Sequence, residues 1–576
     1  MSARLRVPSR SRQMIDVFGG YNHNLRIGDG EFFEMMNMTS DFYPVMSPRG
    51  KRGLYAEPKL CTGMIAKDSI CYTDGSAFVM NGEPIEMGLN DERKQLISMG
   101  AYVVILPDKK YINTANIADR GDLEVINHVE LEATFSLCKV DGTKYGEIPA
   151  QPDPPAEPQT GDLWIDTSTT PHALKQYSAS SSVEWNQIAT TYIRIDAPGI
   201  GVGLSKGDGV NISGVTVAAL TDLNGSFVLE DVGDGYIVIT GILDVTARQT
   251  GGVVVKRTVP EMDFVTECGN RLWGCRYGIS AEGQIVNEIY CSKLGDFKNW
   301  ECFMGISTDS WRASVGTDGP FTGAITHRGY PLFFKENHMH KVYPSEVGAH
   351  AIQNTACRGV QKGSHKSLVI VNEILFYKSS TGVCAYDGSL PSEISYDLGT
   401  EHYEAAVAGG HGNKYYISMA DREGRYHLFV YDVEKKMWHR EDQLQAEAFC
   451  SCRGELYCSA NGKILTMLGS GKPWEQQVTW MAQTGEVGLS SPDTKYISKL
   501  TLRLWMAQGA SARVFVQYDF SPTWELVHSV RQENLGSFNI PVRPKRCDHM
   551  RIRLEGRGDC KIYSVTKTIV QGSERA

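Results

Sequence analysis

A short unit that recurs along the chain limits its fold more than any other feature. The plainest copy runs from Gly319 to Tyr343, GPFTGAITHRGYPLFFKENHMHKVY. Tyr330 to Phe334 is apolar, Lys335-Glu-Asn-His338 is polar and turn-like, and Met339 to Tyr343 alternates apolar and polar. A short strand from Phe321 to Thr326 leads in across Arg328-Gly329. Run, turn and run is the sequence form of a β-hairpin. One hairpin leaves its apolar face wet, so a chain that repeats it builds one core from many copies.

The same grammar appears in Met64 to Met80, Leu96 to Asn113, Arg271 to Ser292, Ser367 to Tyr386, Lys414 to Trp438 and Ala448 to Thr466. About seven units of three or four short strands predict a closed β-propeller. The series breaks between residues 118 and 256. There a proline-rich linker, Gln151 to Pro158, precedes short strands set between glycine turns. After Pro473 six stretches alternate apolar and polar, the pattern of a sandwich with one wet face per sheet. The expectation is an all-β protein: about seven propeller blades, an inserted small β domain and a C-terminal, jelly-roll-like β-sandwich. Its parts are an extended arm (1–55), first blades (56–117), the insertion (118–256), remaining blades (257–472) and the sandwich (473–576). Within the arm, Glu31 to Met38 is read as one helical turn at most.

With 576 residues the chain is too long for one core. Its 58 glycines, 10% aromatic and 22% charged residues suit β-structure with many tight turns. A formal net charge of −9 opposes a surface that binds nucleic acid by neutralising phosphates. The N-terminal segment Met1 to Arg10 is basic with no apolar run behind it, unlike a signal peptide, and no stretch reaches membrane-span length. Fourteen cysteines lie scattered without a CxxC pair; Cys450, Cys452 and Cys458 form the one cluster. That pattern predicts buried thiols made in a reducing compartment, not a zinc site.

His327, His338 and His340 have ligand-like spacing, but only Glu336 joins them, so they read as solvent-facing blade histidines. Ser292 to Trp300 (SKLGDFKNW) resembles an Asp-box, the blade-tip turn of sialidase propellers, which is architecture. A propeller glycosidase would need paired carboxylates at the ring centre, and no spacing singles such a pair out. Glu441-Asp442 reads as surface charge. Gly199 to Gly209 opens no helix and reads as a turn loop. Trp164, Tyr177 and Trp185 read as the core of a tiny module, with sugar stacking as the alternative. No catalytic residue, cofactor or metal is expected.

Phe18-Gly-Gly-Tyr-Asn22, Gly30-Glu31, Met36-Asn-Met38 and Pro44 to Gly53 together resemble the opening of tailed-bacteriophage virion propellers, the tail-stabilisation (tail accessory) and tail-nozzle proteins. Asp318 to Val342 is similar to their central blade, and Gly161 to Thr169 to small decoration modules of phage tails. The resemblance implies a structural part of the virion tail and not an enzyme. It would be assembled in the bacterial cytoplasm as a ring, often of six copies, below portal and adaptor. The ring would extend the DNA channel without sequence-specific binding and seat fibres or a needle. Two other readings stay open: a tail-tip receptor-binding protein holding host glycan through the insertion or the sandwich, and a propeller glycosidase.

Overall fold

The computed structural model of the chain describes residues 10–280, 283–489, 494–519, 521–531 and 533–571. Nine of the ten residues of the basic N-terminal segment lie outside them. The described chain is all-β, with three short 3-10 turns.

Seven four-stranded antiparallel units form the propeller. In chain order their first strands are Met64–Ala66, Gln95–Met99, Phe264–Glu267, Gly323–His327, Val369–Val371, Glu404–His411 and Ala448–Cys452. We number the blades one to seven accordingly. Each neighbouring pair shares a buried cluster, as a ring requires. Phe78 and Ile105 join blades one and two, Val104 and Leu272 join two and three, and Trp273 and Phe333 join three and four. Phe334 and Leu375 continue the series, then Phe376 and Ile417, then Leu428 and Leu456. Ile464 against Ile70 and Tyr72 brings blade seven back to blade one.

The ring is closed by the arm. Gly53–Ala56 pairs antiparallel with Lys463–Thr466 and becomes the outer strand of blade seven. Gly53 has to be glycine, because a Cβ there would stand 2.0 Å from the Ser470 carbonyl oxygen. Upstream, Glu31–Met36 is a strand and not a helical turn, since partners lie on both sides of it. Gly20–Tyr21 pairs with it and, through Tyr21 and Trp438, with the edge of blade six. Its other edge pairs with Thr479–Thr484 of the C-terminal sandwich. One ten-stranded sheet therefore runs from blade six through the arm into the sandwich. Arg10–Ile15 adds to the sandwich's second sheet, beside Cys560–Gln571.

The sandwich stacks that second sheet on Thr479–Thr484, Met550–Arg557, Ser511–Tyr518 and Glu525–Val530. Buried Leu500, Leu502, Val514, Val516, Ile552 and Leu554 alternate with wetter neighbours, the period-2 pattern of its strands. Residues 125–257 form a separate two-sheet sandwich around Phe135, Ile195, Ile237 and Val255. Nested inside it, between Cys138 and Tyr192, is a four-stranded module whose Ile165 and Leu174 pack on Leu137.

An ion-pair network ties the arm to the blades and to the sandwich approach. Arg49 holds Glu475 through two nitrogens at 2.7 and 2.8 Å and bonds Asn37 Oδ1 at 2.8 Å. Arg52 meets Glu441 at 2.7 Å and Asp442 at 2.6 Å. Both arginines and Glu441 are buried, so Glu441-Asp442 is not surface charge: the folded-back arm covers it. Burial works against the Asp442 carboxylate, but Arg52 and then Arg49 outweigh it and hold it below the usual range. Removing one partner of such a set leaves the others buried and uncompensated, which costs about 3–5 kcal/mol. Arg52→Met is expected to lower stability by that amount in denaturant unfolding at pH 7. A change under about 1 kcal/mol would show the network to be dispensable.

Candidate functional site

The unit from Gly319 to Tyr343 is blade four with its entry strand. Its turn contains only Glu336 and Asn337; Lys335 and His338 are paired across it. Lys335 is buried, where its ammonium donates to Asn287 Oδ1 at 2.9 Å and to the Thr317 carbonyl at 2.6 Å. It also lies over the rings of Phe321 and Tyr277. The histidines are not solvent-facing blade residues. His327 and His340 are buried and His338 half-buried, because blade edges pack against neighbours here. His327 bonds the Glu373 carbonyl, and His340 Nε2 meets Thr317 Oγ1 at 2.8 Å. Among the described residues no group of three His, Cys, Asp or Glu side chains is placed to hold a metal ion.

At the opposite turn of this blade a cleft of about 360 Å³ opens toward blade five. His327, Arg328 and Tyr330 supply one wall from the turn between Gly323–His327 and Tyr330–Lys335. Tyr386, Asp387 and Ser389, from the turn after Val383–Tyr386, supply the other. Leu332 and Lys341 complete it. The Lys341 ammonium lies 4.1 Å over the Tyr330 ring and 5.1 Å over that of Tyr343. Arg328 holds a left-handed backbone (φ 50°) and is about half exposed, with Glu373 3.8 Å away. Asp387 accepts from the Ser389 hydroxyl at 2.6 Å and from its backbone N–H at 3.0 Å, which keeps the carboxyl below its usual range. Two tyrosines, two cations and one ionised carboxylate thus surround a space of small-ligand size.

The segment leading into blade five reaches several other blades. Residues 364–368 meet blades three, four and six and the approach to blade seven. Ser364 accepts from the Ala406 N–H, His365 lies tilted against Phe264 with ring centroids 5.2 Å apart, and Lys366 donates to the Glu447 carbonyl at 2.8 Å. His365 and Leu368 lie against Gly323, and Arg93 and Cys61 act on the charge of Lys366. Burial pushes Lys366 down to about 8, with Arg93 adding to it. What this segment brings among the blades is thus a histidine and a lysine, not the carboxylate pair of a propeller glycosidase.

The other motifs resolve as structure. In the Asp-box, Trp300 and Phe297 are buried between blades two and three, and Asn299 bonds Asp208 and the Gly209 N–H. The Gly199 to Gly209 loop is thus docked on that turn, and the insertion is anchored there. Of the module's aromatic residues, Trp164 is buried; Tyr177 and Trp185 are half-buried, with Trp185 5.3 Å from each of the other two rings. Eleven cysteines are buried and three half-buried, all as free thiols, and burial pushes Cys450 up to about 12. The cleft residues Arg328, Lys341, Tyr386 and Asp387 escaped the sequence reading. The only signal was a tyrosine and a charge at two blade turns, which becomes a site once neighbouring blades are set side by side.

No family model and no curated protein matches the chain. Among solved structures it is similar to an exo-β-1,3-galactanase from Phanerochaete chrysosporium with galactose, at 9% identity and TM-score 0.23, over 53% of this chain and 94% of that one. It is also similar to a GH43 glycoside hydrolase with an engineered active site (9%, TM-score 0.20, 53% and 97%). A mutant Trypanosoma rangeli sialidase displaying trans-sialidase activity aligns at 9% and TM-score 0.19, over 99% and 96%. These findings correct two expectations: that the chain is a structural part of a phage tail, and that it is not an enzyme. These three structures are named for glycoside chemistry. At such scores they assign no role to any residue here, so the site rests on its own geometry.

His340, His350 and His365 are each pushed down to about 4, first by burial and then by nearby cations. Below about pH 6.5 the unfolded chain takes up protons that the folded protein refuses until about pH 4. Stability is thus expected to fall as pH drops through that window. Melting temperatures between pH 7 and 4.5 should decline, and His365→Gln should shrink the decline. A flat profile down to pH 4.5 would contradict the buried, neutral state of these rings.

Proposed function

We propose that this protein acts on carbohydrate, and that the cleft between blades four and five receives an acidic sugar. One observation carries the reading: Tyr330 and Tyr386 stand with Arg328 and Lys341 around one cleft of about 360 Å³. Tyr330, half-buried, offers flat apolar surface to the C–H face of a sugar, while Tyr386 is buried and backs the wall. The guanidinium and ammonium supply charge-assisted hydrogen bonds to a carboxylate or sulfate, about twice as strong as neutral ones. Asp387 and Ser389 add acceptor and donor groups for hydroxyls. Arg328 is fixed at its base by the turn, so less freedom is lost on binding.

Hydrolysis is a second reading, favoured by Asp387. An ionised carboxylate in the cleft wall suits a base or nucleophile, although a second, protonated carboxyl is the other half of such chemistry.

The test is calorimetric titration with sialyllactose and galacturonate oligomers, against their neutral counterparts. The acidic sugars are expected to bind at least tenfold tighter. Tyr330→Ala should weaken binding about tenfold, the scale of one lost aromatic contact. Arg328→Asn, which tolerates the left-handed backbone, should erase the preference for acid. Equal binding of neutral and acidic sugars, or none, would overturn the proposal. Release of reducing ends that disappears in Asp387→Asn would establish hydrolysis.

A further inference from the structure

The outer face of the C-terminal sandwich is a second, separate surface. Along Met550–Arg557 the residues Met550, Ile552 and Leu554 are buried, and Arg551, Arg553, Glu555 and Arg557 alternate with them on the open face. On the neighbouring strand Arg513 and Phe515 lie on the same face, opposite Glu555 and Arg553. Residues 511–557 carry eight arginines and lysines against five carboxylates, within a chain of net charge −9.

Three of the guanidinium groups, those of Arg513, Arg551 and Arg553, are held by rings. Arg553 lies 4.3 Å over Trp524 and 5.3 Å over Phe515; Arg513 is 5.5 Å from Phe515, and Arg551 5.4 Å from Phe33 of the arm. Glu555 pairs with Arg513 at 3.1 Å and Arg553 at 2.9 Å, and Glu486 with Arg551 at 2.9 Å. Among the described residues no carboxylate lies within ion-pair distance of Arg531 or Arg557. These two meet Arg513 around a cleft of about 560 Å³. Trp480 lies in its wall, fitted against Gly556, and its buried indole N–H has no hydrogen-bond partner.

We propose that this face binds an anionic polysaccharide, with Arg513, Arg531 and Arg557 as the anion-holding residues. Arg513 lies against Phe515, which keeps its planar donor edge oriented, and Arg531 and Arg557 add guanidinium forks that suit carboxylate or sulfate oxygens. Phe515, Trp524 and Phe33 are already covered by arginines, so they are not free to stack on nucleobases, which single-stranded nucleic acid requires. The face shares no residue with the blade cleft.

Binding of polygalacturonate and heparin is measured by affinity electrophoresis and calorimetry, with dextran as neutral polymer and single-stranded and duplex DNA as alternative polyanions. All titrations are done in an Arg328→Asn, Tyr330→Ala background, so that binding at the blade cleft cannot be mistaken for binding at this face. The acidic polysaccharides should bind and dextran should not. Arg531→Gln with Arg557→Gln, both at exposed positions, should weaken binding at least tenfold without changing the melting temperature. Arg531→Lys with Arg557→Lys keeps the charge but loses the fork, and should recover only part of it. Four results would each overturn the assignment: dextran binding as well, DNA binding tighter than either polysaccharide, neither polysaccharide binding, or the glutamine variant binding like its parent.

Discussion

The fold depends on two buried arginines. Arg49 and Arg52 lie in the last stretch of the arm before it becomes the closing strand of blade seven. Their partners come from three places: Glu441 and Asp442 at the exit of blade six, Glu475 on the approach to the sandwich, and Asn37 in the arm itself. A buried ion pair gives little net stability over an apolar core of the same shape, because desolvation cancels most of the attraction. What it gives is a strong preference for one arrangement, since any other leaves charge buried alone. That preference is needed here. An arm rich in glycine and proline has weak strand propensity of its own, and three different sheets must accept its segments in one register.

Closure by the arm also accounts for how the propeller manages its edges. A ring whose last blade ended on its own third strand would leave that strand's outer edge unpaired. Gly53–Ala56 covers Lys463–Thr466, and the ring joins residues over four hundred positions apart. Closing so long a loop costs chain entropy that the local hairpins do not. The insertion is placed where it disturbs this least. It leaves after blade two, returns before blade three, and is pinned by Asp208 to the Asp-box turn.

The blade grammar was legible because it is local. Apolar runs split by Asp-Gly, Asn-Gly or Gly-Tyr turns state a hairpin within about twenty residues, and nothing distant can change that. The arm was opaque for the converse reason. EFFEMM has no clear period, and it is a strand only because Gly20–Tyr21 and Thr479–Thr484 flank it. The nested insertion was half-legible: short strands between glycine turns could be expected, but not that Glu132–Cys138 and Tyr192–Asp196 are strands that pair across the small module. Glu441-Asp442 looked like surface charge because its partners lie about 390 residues upstream. The histidines looked exposed because a strand pattern shows which residues share a face, not whether a neighbouring blade covers it.

The candidate cleft shows the same limit from the functional side. Arg328 and Tyr330 are one blade's turn, and Tyr386 to Ser389 the next blade's, some sixty residues on. Neither turn has chemistry worth noting alone. Repetition sets the two at the same height on adjacent blades, and the ring's rigidity keeps them there, so a cleft arises from two ordinary turns. The sandwich face is built differently, within one sheet, from alternation on neighbouring strands. Because the arm makes that sheet continuous with blade six, the two surfaces belong to one body and not to tethered domains. A polymer long enough to touch both would meet the second site at high effective concentration after binding the first. Weak contacts at each surface would then suffice for firm attachment to an acidic glycan coat, while a single free sugar would leave readily.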